Sequence, residues 1–109
     1  MVRRYDPAIR VARRSRGRYL VSIALCQMCH GEGLKGAPPI DVGAPPGPDI
    51  TVYAMAGGWS ESQFIETIRT GRTPYGKALD PEFMPWEVYG RLTDDELAAI
   101  RTYMASLGS

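Results

Sequence analysis

The residues best suited to chemistry stand together in one short run, Cys26-Gln27-Met28-Cys29-His30. Two cysteines three apart fall on one helical turn. Both sulfurs can then form thioethers to the two vinyl groups of one haem, and the adjacent imidazole can reach the iron from one side. Other uses of a C-x-x-C pair fit this chain less well. It holds no third cysteine and no second histidine, so a four-ligand zinc site cannot be assembled from nitrogen and sulfur donors. A thioredoxin-like dithiol needs a βαβ setting, and no convincing strand is visible. A plain structural disulfide leaves His30 without a role.

His30 is the only histidine, which rules out two histidine ligands within one molecule. The sixth position then falls to methionine, to another side chain or to water. Methionine is the ligand that pairs with histidine in electron-transfer haem proteins, where it raises the potential. Of the five methionines, Met1 is terminal, Met28 lies inside the attachment motif and Met104 sits in an apolar helical stripe. Met55 and Met84 stand in loops. Met84 precedes Pro85, whose ring stiffens the backbone where a sulfur must be presented, and it is the favoured ligand. A gap-filling core methionine is the alternative at that position.

Three helices must position these groups. Asp6-Pro7 reads as a helix start, with the helix running from Pro7 to about Cys29 and burying Tyr19, Leu20, Ile23 and Ala24. Gly17 lies inside that pattern, where glycine costs up to ~1 kcal/mol against alanine, so close approach of another backbone is its expected reason. Residues 31–58 carry Pro38-Pro39, Pro45-Pro46 and Pro48 and no periodic segment longer than a few residues. A structureless loop of that length is expected to wrap around a function or a ligand. Ser60 and Gln63 form a capping box for a helix over 61–70, closed by Gly71. A short turn is expected at 86–90. Thr93-Asp94-Asp95-Glu96 caps a last helix with an apolar stripe of Leu97, Ile100, Met104 and Leu107, closed by Gly108.

A chain of 109 residues fits one small domain, and nine Pro with twelve Gly make much of it loop. No apolar run approaches the ~18 residues of a membrane span. The first thirty residues hold no secretory apolar core, since Ser22 interrupts the longest stretch, Val21 to Cys26. The net charge of +1 argues against nucleic-acid binding, but it conceals an asymmetry. Residues 1–19 hold seven Arg against one Asp, a charge of +6. The other ninety hold six Lys or Arg against eleven Asp or Glu, a charge of −5. The basic head reads as a solvated helical face or as a docking patch for an acidic partner or an anionic membrane surface.

Several short segments stand in a familiar order: Gly17-Arg18-Tyr19-Leu20, Cys26 to His30, Gly47-Pro48-Asp49-Ile50, Gly58-Trp59-Ser60, Met84-Pro85-Trp86 and Leu92 to Leu97. In this the chain resembles class I c-type cytochromes, most closely bacterial monohaem domains of periplasmic dehydrogenase cytochrome subunits. The resemblance implies an all-α cytochrome c fold, with three main helices and long loops wrapped around one haem c, covalent through Cys26 and Cys29. The cytochrome c domain so implied spans 17–109, and the basic N-terminal extension over 1–16, the start of the first helix, departs from the usual short start of that family. His30 and Met84 look like the axial pair. Pro48 resembles the proline whose carbonyl accepts a hydrogen bond from the proximal imidazole, and Ile50 the apolar residue on the haem face. Gly17, Tyr19 and Leu20 resemble the crossing point with the last helix at Leu97, Ile100 and Tyr103. Trp59 and Arg72 are candidate donors to haem carboxylates, and Tyr75 or Tyr89 are candidates for the same role or for approach to the methionine sulfur.

One-electron transfer between transient redox partners, with no catalytic residue, is the function so implied. The alternative is a haem with a weak or open sixth position, acting as gas sensor or peroxidase-like enzyme. A haem domain of a larger dehydrogenase or oxidase complex is a further expectation. The location implied is periplasmic or otherwise extracytoplasmic.

Overall fold

The computed structural model describes residues 7–108 apart from 25, 32, 40, 41, 44, 45, 55–57 and 83. Asp6, Arg3, Arg4 and Met55 lie outside the described residues. Among the described residues five α-helices follow in order: α1 Pro7–Ile23, α2 Cys26–His30, α3 Glu61–Thr70, α4 Trp86–Tyr89 and α5 Asp94–Gly108, with a 3₁₀ helix at Thr51–Ala54. Among the described residues, β-structure is confined to two isolated bridges, Ala37 with Gly47 and Arg72 with Ala78. The architecture is all-α with long loops.

The termini of α3 and α5 are set by local chemistry. The Ser60 hydroxyl accepts from the Gln63 amide at 3.1 Å, and the Gln63 side chain accepts from the Ser60 amide at 2.8 Å. Thr93 and Glu96 make the same reciprocal pair at the start of α5. The Thr93 amide, with Arg16 nearby, holds the Glu96 carboxyl below its ordinary range. Gly71 ends α3 in the left-handed region, φ 73°, with its amide on the Thr67 carbonyl.

α1 and α5 form the principal helix pair. They meet at Gly17, where a Cβ would fall on the Ala99 carbonyl oxygen and 2.9 Å from the Tyr103 Cβ. That contact accounts for a glycine in a helix interior. The core around it comprises Leu20, Val21, Leu34, Ala54, Phe64, Ile68, Leu97, Ala99, Ile100 and Met104. Gly17→Ala forces apart two backbones, and overpacking of this kind costs ~3 kcal/mol or more. A fall in melting temperature of roughly 10–20 °C is expected, and unchanged thermal unfolding would contradict the crossing.

Two expectations for the first helix are corrected. It ends at Ile23 rather than near Cys29, with a turn at Ala24 before α2 begins. At that break the Ala24 carbonyl accepts the Tyr89 hydroxyl at 2.8 Å, a tertiary bond between residues 65 apart. Tyr19 and Ile23 are exposed, at 64% and 58%, whereas Val21 is fully buried. The inward face is set by Gly17 and runs through Leu20, Val21 and Ala24, so the row through 19 and 23 is turned to one side.

α1 carries exposed Arg10, Arg14 and Arg18, and uses Arg13 and Arg16 toward the body. Arg13 lies 3.9 Å from Glu61 and Arg16 lies 3.6 Å from Glu96. Pairs this exposed contribute little stability.

Candidate haem site

α2 is a single turn, and the long loop after it holds that turn in place. Gly31 leaves the helix at φ 84°, with its amide on the Gln27 carbonyl. The Gly36 amide returns to the His30 carbonyl at 2.8 Å, and Ala37 and Gly47 exchange both backbone bonds, at 3.0 and 2.9 Å. Gly47 thereby presses directly on the Cys29 carbonyl, with no space for a Cβ. Leu34 is fully buried in the left-handed region, φ 57°. That conformation costs a leucine roughly 1–2 kcal/mol, which its place in the core offsets.

The loop ends on His30. The imidazole is buried, 7% exposed, and its Nδ1 lies 2.8 Å from the Pro48 carbonyl. A carbonyl only accepts, so Nδ1 carries the hydrogen, and the lone pair is left on Nε2. That is the tautomer an iron ligand requires, with a partner that fixes the ring and strengthens it as a donor. Asp49 holds the segment after Pro48. One carboxylate oxygen accepts from the Thr51 amide at 2.9 Å and its hydroxyl at 2.6 Å. The hydrogen bond from the Thr51 hydroxyl lowers the Asp49 pKa, and the 3₁₀ turn begins at Thr51. Ile50 is half-buried against the core, its amide on the Leu34 carbonyl at 3.0 Å.

Cys26 and Cys29 are free, half-buried thiols. Burial pushes the Cys26 thiol up to about 11, so charge on that sulfur is disfavoured. A thioether carries no charge and suits such surroundings. The protein also supplies an imidazole whose Nε2 keeps its lone pair, two sulfurs one turn apart and a loop packed against the α2 backbone. The residues present fit a covalently bound haem.

Met84 is half-buried against the core. Its amide bonds the Asp80 carbonyl at 2.8 Å, and its carbonyl accepts from Trp86 at 2.7 Å. Met28 is 57% exposed and Met104 only 2% exposed in the core. Trp59 stacks on Tyr53 with ring centroids 4.3 Å apart, and its carbonyl accepts from Arg101 at 2.7 Å. Arg72 is exposed and reaches the Gly76 carbonyl at 3.3 Å. Tyr75 is 91% exposed. Tyr89 is engaged with Ala24. Residue-type reasoning missed the Tyr89 and Arg101 bonds, which join distant segments. The Asp49-x-Thr51 turn did carry a local signal, a carboxylate two residues before a hydroxyl and its amide.

Among the described residues no helix is long and apolar enough to cross a membrane. The family model of cytochrome c matches residues 15–108. The fructose dehydrogenase cytochrome subunit of Gluconobacter japonicus is 30% identical in an alignment 102 residues long that covers 83% of this chain and 20% of that protein. The chain therefore spans about a fifth of the length of that relative. No solved structure matches it significantly. With Cys26, Cys29 and His30 at the attachment spacing inside an all-α fold, the chain belongs to the cytochrome c family, electron carriers that bind haem c covalently.

Proposed function

We propose that His30 and Met84 are the residues that would hold the haem iron, and that the chain passes single electrons between redox proteins outside the cytoplasm. The observation that carries this reading is the 2.8 Å bond from His30 to the Pro48 carbonyl, which leaves Nε2 to donate to iron. Met84 is the described methionine that is neither exposed nor given over to the helical core, and short backbone bonds on both sides stiffen its segment. The haem supplies the one-electron change, and the protein's part is to set its potential and exclude other ligands.

Ile50 is the residue proposed to pack on the haem face, with Trp59 and Arg72 as donors to its carboxylates. Residues 17–109 make the functional domain, and the basic residues 1–16 extend it. Covalent attachment normally takes place after export, which supports an extracytoplasmic location. A dehydrogenase is the proposed electron donor, since the relative in Gluconobacter japonicus is a dehydrogenase cytochrome subunit. The encounters are weak and transient, and electron exchange slows as salt screens the charges that steer them.

A potentiometric titration tests this function. A reversible couple with a slope near ~59 mV per decade is expected, the value for one electron. Sustained turnover of peroxide by the intact protein would contradict it.

A further inference from the structure

We propose that the Tyr89 hydroxyl is a latch that holds the Met84 segment closed over the haem-attachment helix. The proposal rests on the reading of Met84 as the iron's ligand and deepens it.

Two segments must stay in register for a ligand from one to meet an iron bound to the other. α2 carries both cysteines and His30, whereas Met84 lies more than fifty residues further on. Tyr89 joins them directly, its hydroxyl donating to the Ala24 carbonyl at 2.8 Å. Ala24 stands two residues before Cys26, and its amide closes the last turn of α1 on the Leu20 carbonyl at 2.9 Å. The bond therefore anchors to α1 at the point where the chain turns into α2.

On the other side, Tyr89 is rigidly tied to Met84. Trp86 bonds the Met84 carbonyl at 2.7 Å, Val88 bonds Pro85 at 3.1 Å, and Gly90 bonds Trp86 at 2.7 Å. Arg69 fixes the Gly90 carbonyl at 2.6 Å. Met84 through Gly90 thus moves as one short unit, so opening the sixth position breaks the Tyr89 bond or strains it. Burial keeps the Tyr89 hydroxyl protonated to higher pH than usual, and it stays a donor through the neutral range.

The test is the slow rate at which carbon monoxide in large excess, far above the concentrations of a prompt spectral test, binds the reduced holoprotein; that rate scales with the fraction of molecules whose sixth position is open. Tyr89→Phe keeps the ring and removes one neutral hydrogen bond, so binding about five-fold faster is expected. The near-infrared sulfur-to-iron band of the oxidised protein is expected to be weaker than in the wild type. Thr102→Val removes a comparable hydroxyl bond, to the Ala98 carbonyl within α5, and is expected to leave both readouts unchanged.

An unchanged rate in Tyr89→Phe, with fast binding in Met84→Ala, would overturn the latch and leave the ligand reading standing. Equal acceleration in Tyr89→Phe and Thr102→Val would overturn it as general loosening. If Met84→Ala binds no faster than the wild type, Met84 is not the ligand and the latch falls with it.

Discussion

Gly47→Ala is expected to yield a protein that does not hold a correctly ligated haem. The effect follows from position rather than from backbone conformation. A Cβ at Gly47 would overlap the Cys29 carbonyl and lie 3.2 Å from the His30 amide. Neither neighbour is the free end of a side chain. Cys29 is held in α2, and Gly47 is locked to Ala37 by two backbone bonds. Relief requires the loop to move away from α2, and Pro48 moves with it. The His30 imidazole then loses the acceptor that sets its tautomer. A cost of ~3 kcal/mol or more is expected, a large share of the ~5–15 kcal/mol that stabilises a domain. The check is the spectrum of purified Gly47→Ala together with its melting curve. Normal haem content and an unaltered melting temperature would show that the loop does not press on α2.

Met84→Ala is expected to open the iron without unfolding the protein. Met84 is half-buried at the edge of the core, so truncation costs ~2 kcal/mol or somewhat more in packing, which the helix pair α1 and α5 can absorb. The coordination change is far larger. On the proposed ligation, loss of the Met84 sulfur removes the ligand that raises the potential, so the midpoint is expected to fall. It also leaves a position for exogenous ligands. The reduced variant is expected to bind carbon monoxide at concentrations where the wild type does not respond, and the oxidised variant to lose the sulfur-to-iron band. Added imidazole is expected to restore a six-coordinate spectrum. Retention of the band in Met84→Ala would assign the sulfur to another methionine.

Much of this fold was legible because its signals are local. The Ser60/Gln63 and Thr93/Glu96 pairs fix two helix starts within three residues, and Gly71 marks an end through its own backbone preference. Gly17 was legible as a close approach because a helix-interior glycine is costly, and the approach is to Ala99 and Tyr103. The attachment motif was legible because five consecutive residues carry it.

What local pattern could not supply was set by distant partners. Periodicity continues past Ile23, but the chain turns at Ala24, where Tyr89 takes the carbonyl. Apolar spacing counted Tyr19 and Ile23 as buried, yet the facing helix selects the row through Leu20 and Val21. The left-handed Leu34 carried no signal, since its conformation is imposed by the loop and the core around it. Within the site, the elements around His30 were legible from the resemblance of Gly47-Pro48, and Tyr89 was not, because its bond spans 65 residues.

The optical spectrum of the oxidised and reduced holoprotein, with and without carbon monoxide, tests the central claim most directly. A near-infrared band that vanishes on reduction, sharp reduced α and β bands and no prompt response to carbon monoxide are predicted, as for a closed histidine–methionine iron. A broad five-coordinate spectrum that shifts with carbon monoxide would contradict the account and make ligand binding, not electron transfer, the function to explain.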